Sequence, residues 1–386
     1  CRPVATADAP PAPNLGWAIR SPLLRLSEGR RELVVTLGLV ADGFDRGLFL
    51  RRLGLDDGAK PADLLAALAG AWVAELSTAK GWIAPAWREV RLSAGRADDY
   101  WALAGLPRDS DAQRPALQLS LLLAPDADPV APLPGDDQPL LRLRLRPHWQ
   151  DALQQWTTQA DAFEPLQLAA VHVAARVQGL KTLRLQAEDR ALDARKPFEP
   201  FGTTPARGSR LYLSHDELAR ERLQSLALHI EWMGLPASLA AHYARHADTD
   251  EAVRALVAGF TAGLALVERG WVLPLASAQP LFDADGTTDW NVAPAALLDK
   301  DGGFAYRRRA DAAPPADLRD ATRCFRVELD SDLGHAGYPR QAALWAARLG
   351  VELAAQRSVE AANFLVNAPY LPRIKALTVD YSAAFE

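Results

Sequence analysis

The sequence predicts a multi-domain, mainly β protein of β-sandwich-like modules, with a few short helices that make it α+β by count. Three observations carry this. Most apolar runs alternate with a period of two over more than four residues, the pattern of half-buried strands. The 28 prolines and 25 glycines cut those runs into short pieces, and a proline removes a backbone donor that a helix interior needs. At 386 residues the chain is long enough for two or three cores, because a single core stops growing at about 250–300 residues.

Taken in order, residues 1–30 form an extended lead-in; proline and alanine in 1–13, without apolar periodicity, cannot offset the entropy of ordering by burial. A first β-rich domain spans 31–160. Its strand candidates are 32–40, 72–76, 88–92, 117–123 and 140–145, with an Asp/Pro/Gly loop at 125–138 between the last two. Pro61 opens a short helix with Leu64, Leu65 and Leu68 at helical spacing, ending near Gly70. Lys80 and Gly81 fall in a turn between strands. Alternating leucines supply the inner faces of one sandwich.

A second β-rich domain spans 161–275, with strands at 166–176, 180–185, 211–213, 223–232 and 270–275. One helical turn is expected at 215–222 and a short helix at 237–245. Residues 253–266 are apolar enough for helix or strand, and Gly259 and Gly263 count against a stable helix. The region 276–386 begins with an irregular connection (276–318), which is more often a contact surface than filler when ordered. A strand at 323–329 follows, then the best helix in the chain from Pro339, rich in alanine and leucine. The last strand is 374–381, with Ile374, Ala376, Thr378 and Asp380 on one face.

The most distinctive stretch is the loop 195–213, Arg195-Lys-Pro-Phe-Glu-Pro-Phe-Gly-Thr-Thr-Pro-Ala-Arg-Gly-Ser-Arg-Leu-Tyr-Leu213. Its prolines fix φ and its glycines open backbone conformations that other residues avoid. The run Lys196-Pro-Phe-Glu-Pro-Phe-Gly202, then Pro205, Gly208-Ser209, Leu211-Tyr-Leu213, Ser225-Leu-Ala-Leu-His-Ile-Glu-Trp232 and Leu235-Pro236, resembles the baseplate J-like wedge proteins of phage-tail-like contractile injection systems. Further pieces in the same order are Leu15-Gly-Trp-Ala-Ile-Arg-Ser-Pro-Leu-Leu24, Lys80-Gly81-Trp82, Gln138-Pro-Leu-Leu-Arg-Leu-Arg-Leu145, Gly334-His335 with Tyr338-Pro339, Pro369-Tyr370-Leu-Pro372, and Lys375-Ala-Leu-Thr-Val-Asp-Tyr-Ser382. The chain departs from the family at His215-Asp216-Glu217, where a glycine is common.

The resemblance implies a structural part of the baseplate wedge, without catalysis or cofactor. It also implies cytoplasmic assembly into a phage-tail-like particle, with release or membrane association afterwards. Implied partners are other wedge subunits in homo- or heterodimeric contact, the hub and spike, and the sheath and tube proteins. The expected structural and interface residues are Lys196, Pro197, Phe198, Pro200, Phe201, Gly202, Gly208, Ser209, Tyr212, Trp232 and Trp82, with Phe198 and Phe201 buried.

Composition narrows the alternatives. A formal net charge of -5 leaves no footprint for phosphate backbones, so nucleic acid is a poor partner. Two cysteines, Cys1 and Cys324, are too few for a disulfide framework. No apolar run is long enough for a transmembrane segment. Cys1 ahead of a Pro/Ala-rich stretch supports a rival reading, an envelope-anchored carbohydrate-binding or hydrolytic β-sandwich lipoprotein whose tryptophans stack on sugars. An adhesin-like module is a weaker rival.

Chemical motifs are few. His242 and His246 would share a helix face, as a metal pair needs, yet lack a third ligand; a solvated face with Tyr243 buried is the preferred account. Asp283-Ala-Asp-Gly-Thr-Thr-Asp289 looks like the start of a calcium loop without its bidentate glutamate, and Asp285-Gly286 is an ordinary turn signal. Cys324 has no local nucleophile signature and is expected as a small core residue. Ser209 lacks the flanking glycines of a nucleophile elbow. The pairs Glu188-Asp189 and Asp136-Asp137 are expected as solvated turns. Most of the eleven tryptophans should anchor cores, with Trp82 an interface candidate.

Overall fold

The computed structural model describes residues 16–40, 44–93, 115–150, 155–157, 160–164, 166–187, 190–219, 223–268, 271–292, 307–308, 318 and 323–385. The chain is mainly β and β-sandwich-like, and it divides into two compact units, residues 1–179 with 382–386, and residues 180–381. The 1–15 lead-in, Trp101, Glu188 and Asp189 lie outside the described residues, as do 293–306 and 309–317 of the expected connection.

The first unit contains β1 (Gly16–Arg20), β2 (Arg30–Leu39), α1 (Arg46–Arg52), α2 (Pro61–Ala71), β3 (Trp72–Thr78), β4 (Gly81–Ile83), β5 (Ala86–Ser93), β6 (Ala116–Leu123), β7 (Leu140–Leu145), the small ribbon β8 (His148–Gln150) and β9 (Gln155–Thr157), α3 (Ala160–Phe163) and β10 (Leu168–Leu180). One antiparallel sheet runs β1-β7-β3-β4, and a second run is β10-β2-β6-β5. Alternation decides which side faces inward. Leu33, Val35 and Leu37 of β2 lie opposite Leu121, Leu119 and Leu117 of β6, and all six are buried. In the other sheet Leu141, Leu143 and Leu145 pair with Leu76, Ala74 and Trp72. Trp72 ties the two layers together: its ring lies 5.2 Å from Trp17, 6.5 Å from Trp87 on β5 and 4.7 Å from Phe163.

Helix α2 starts where its sequence says it should. Pro61 occupies the first turn, where its missing N–H costs nothing, and the Asp63 carboxylate accepts from Lys60 N at 3.0 Å. Gly81, with φ +131, lets the chain leave the turn after β3 and enter β4.

The second unit contains β11 (Arg184–Ala187), β12 (Arg190–Asp193), β13 (Arg210–Ser214), β14 (Leu223–Trp232), α4 (Leu239–His242), α5 (Asp250–Ala258), β15 (Thr261–Glu268), β16 (Trp271–Pro280), β17 (Thr287–Val292), β18 (Arg307–Arg308), β19 (Cys324–Leu329), α6 (Tyr338–Ala354) and, up to Tyr381, β20 (Ile374–Phe385). One sheet has the order β12-β11-β13-β19-β15-β16-β18, and a separate run is β17-β14-β20.

Four sequence expectations resolve differently here. Residues 253–266 hold both structures. The helix α5 is capped by Thr249, whose hydroxyl accepts from Ala252 N at 3.2 Å, and ends at Gly259; β15 follows, zipped between β16 and β19. The stretch 276–292 is irregular only at 281–286: β16 continues to Pro280, and residues 287–292 form β17 because β14 offers them a ladder. The helix expected over 237–245 is only the single turn α4, with His246 beyond it. Finally, β20 buries Leu377, Val379, Tyr381 and Ala383 rather than the face of Ala376, Thr378 and Asp380, although Ile374 is itself buried.

Candidate functional site

The loop 195–213 is closed by backbone hydrogen bonds at two places. Phe198 N donates to Ile374 O at 3.1 Å and Ile374 N to Phe198 O at 2.8 Å, an isolated bridge to the start of β20. Gly208 N donates to Leu329 O at 2.8 Å, and Leu329 N to Ser209 O at 3.0 Å, which joins the loop to the end of β19. Between these points Ser209 makes a small closed turn: its N–H donates to Ala206 O, and its Oγ accepts from Ala206 N, both at 3.0 Å. Gly202 and Gly208 have φ of +74 and +88, a region where a side chain is strained.

The expected site residues separate by burial. Phe198, Pro200, Phe201, Ser209, Tyr212 and Trp232 are buried, Gly202 and Gly208 are half-buried, and Lys196 and Pro197 are exposed. Trp232 donates from Nε1 to Thr288 Oγ1 at 2.8 Å, and its ring meets Phe282 edge-on at 5.0 Å. Trp82 belongs to the first unit. Its face is covered by the Arg142 guanidinium, 3.4 Å from the ring centroid, and Arg142 is held in turn by Glu75 at 2.7 Å. Burial opposes ionisation of Glu75, yet Arg142 and Arg144 outweigh it and hold the carboxyl below its ordinary range.

The chemical motifs take structural places. His242 and His246 each donate from Nε2 to a backbone carbonyl, Ala368 O and Asn367 O, both at 2.9 Å. They flank Tyr243, which is fully buried; its hydroxyl donates to Leu333 O and accepts from Tyr370 N. His246 is also buried, so this is not a solvated face. Burial pushes Tyr243 up to about 12 and His246 downward. In the 283–289 turn the carboxylates do not converge. Asp285 accepts from Thr287, Gly286 takes φ +81, and Asp289 turns to a histidine. Asp136 accepts from Arg20 at 3.4 Å. Cys324 is fully buried among Tyr212, Ala265, Val267, Val272 and Leu318, and burial pushes its thiol up to about 12, far from a nucleophile.

One constellation escaped the sequence reading. His229 on β14 lies between two carboxylates from the neighbouring strands, Asp289 of β17 at 2.6 Å from Nδ1 and Asp380 of β20 at 3.3 Å from Nε2. Its outward parity, alternating with buried Leu228 and Ile230, was the only sequence signal. Burial disfavours the imidazolium, but the two carboxylates more than compensate, and the pKa sits above its ordinary value. A group whose folded pKa is raised adds stability that is complete below its unfolded pKa and fades as pH rises through the folded one. Urea midpoints of the wild type and His229→Gln should therefore differ more at about pH 5.5 than at about pH 8.5. A gap independent of pH would show that the ion pairs contribute nothing.

Among the described residues no helix is long and apolar enough to cross a membrane. No protein-family model matches the chain, and a search of curated proteins finds no match.

Proposed function

We propose that this chain is a structural assembly component, part of the baseplate wedge of a phage-tail-like contractile injection system, and that it acts by presenting rigid β modules to neighbouring subunits. The observation that carries an assembly role is α6. One side of this helix is fixed to its unit: Trp345 Nε1 donates to Arg245 O at 3.0 Å, and Tyr338 stacks on His246 at 5.9 Å. The other side is open. Leu344 and Val351 are 39% and 67% exposed. Leu344, Ala347, Val351 and Ala354 recur at steps of three and four, so they form one stripe. A stripe of apolar side chains left to water along a helix, with Leu344 and Val351 among them, is the kind of surface that marks a partner contact.

The wedge assignment itself rests on the ordered resemblance around 196–236. The carbohydrate-binding rival needs free aromatic faces, and four tryptophans are engaged otherwise: Trp82 under Arg142, Trp232 and Trp290 buried, Trp345 against Phe364 and Arg348.

The test is cryo-electron microscopy of particles purified through a tag on this chain in its host. Six-fold or three-fold baseplate density containing it supports the assignment. Recovery only in membrane fractions, without tail-like particles, sinks it. The paired variant Leu344→Glu/Val351→Glu should keep its melting temperature, because neither side chain is buried, while its incorporation into particles falls at least tenfold. Normal incorporation would remove α6 from the interface.

A further inference from the structure

The outward side of the run β10-β2-β6-β5 in the first unit carries a cluster that the wedge reading does not use. On β2, Arg30 and Glu32 point the same way by strand parity. Across the ladder Gln178 stands opposite Arg30 and Arg176 opposite Glu32, while Arg88 reaches in from β5. These five residues line an open cavity of about 170 Å³.

The charges are arranged unequally. Both oxygens of Glu32 are committed: Oε2 accepts from Arg88 at 2.5 Å and Oε1 from Ser120 Oγ at 2.7 Å. Among the described residues, the guanidiniums of Arg30 and Arg176 make no side-chain hydrogen bond or ion pair. Three guanidiniums against one carboxylate leave two positive charges in excess, in a chain whose formal net charge is -5. Like charges on adjacent strands repel. An unpaired cationic cluster on a rigid sheet is therefore a prepared site for an anion. Guanidinium forks match the geometry of oxyanions, and an excess of two positive charges matches a dianion.

We propose that this cavity binds a phosphate dianion, free or as the head of a small monoester, with Arg30 and Arg176 as its direct ligands. Arg88 contributes charge while held in place by Glu32, and the Gln178 amide supplies a neutral donor.

The test is calorimetric titration of the full chain with inorganic phosphate and, separately, with phosphoserine, at ionic strength matched by chloride. Saturable binding of either ligand is expected. Binding of phosphoserine alone identifies a monoester site, and binding of phosphate alone identifies a site for the free ion. Arg30→Gln and Arg176→Gln should each weaken binding by about tenfold or more, whereas Arg254→Gln on exposed α5 should leave it unchanged. Because both cavity arginines are exposed, these variants should fold normally, which a thermal melt checks. Heats no larger than those of chloride, or undiminished affinity in the folded double variant Arg30→Gln/Arg176→Gln, would overturn the proposal.

Discussion

Replacing Arg31 with methionine should lower the unfolding free energy by about 3–5 kcal/mol. Arg31 is fully buried, on the inward side of β2 with Leu33, Val35 and Leu37. Its guanidinium is spent on backbone carbonyls: Nε donates to Gly29 O at 3.1 Å, Nη1 to Leu26 O at 3.3 Å and Asp128 O at 3.1 Å, and Nη2 to Ala124 O at 2.9 Å and Ala127 O at 2.7 Å. The side chain thus pins the loop before β2 to the strap that follows β6, and Val130 N adds a bond to Leu26 O at 2.9 Å. Methionine preserves the apolar stem and removes every donor. Each carbonyl left buried without a partner costs about 1–3 kcal/mol. Water reaching part of the opened strap keeps the total below their sum. Arg31→Lys should fall between, since an ammonium keeps the charge but cannot span five acceptors from one plane. Urea unfolding measures both, and a methionine variant within about 1 kcal/mol of wild type would mean that the strap is held by other contacts.

Arg31 also shows what the sequence conceals. Strands β7 and β14 were legible because one side of each is covered, so alternation records the core directly. The same alternation places Arg31 inward, but an arginine is ordinarily taken as solvated, and nothing local announces five waiting carbonyls. Glu217 is a parallel case. It lies in an acidic segment read only as one helical turn, yet it is buried and accepts from the Tyr381 hydroxyl. Its partner is distant in the chain, as are Asp289 and Asp380 from His229. Long-range pairings of this kind leave no trace in spacing. The threonine-rich β17 was missed for a related reason: its strand character comes from the ladder that β14 provides, and a polar turn-like composition masked it. Nor does the run 374–381 say by itself which of its faces is covered; the structure buries Leu377, Val379 and Tyr381. Prolines and glycines, by contrast, act through the local backbone, so the loop 195–213 was recognisable as a shaped loop before its two attachment points were known.

Those attachments set the second large effect. Phe201→Ala and Phe198→Ala should each destabilise the protein by about 3 kcal/mol, from lost transfer energy together with the cavity left behind. Phe201 is 4% and Phe198 7% exposed, so neither deletion can be relieved simply by solvent. For a unit of about two hundred residues, that loss corresponds to a fall in melting temperature of about 6–12 °C. The ladder bonds at Phe198 and Ile374 and at Gly208 and Leu329 are backbone bonds that alanine leaves in place. The variants should consequently remain folded at low temperature with the loop's ends held and its middle loosened. That separation makes the experiment informative about function as well as stability. If the loop serves assembly by its fixed shape, particle incorporation measured well below the melting transition should drop in the phenylalanine variants. An exposed change such as Lys196→Ala, which removes only a distant 3.9 Å contact to Asp193, would then isolate direct side-chain recognition from shape. An unchanged melting temperature in Phe198→Ala and Phe201→Ala would remove the rigid-loop role. A lowered one with full incorporation would confine the loop to stabilising its own unit and shift the search for the interface to the open side of α6.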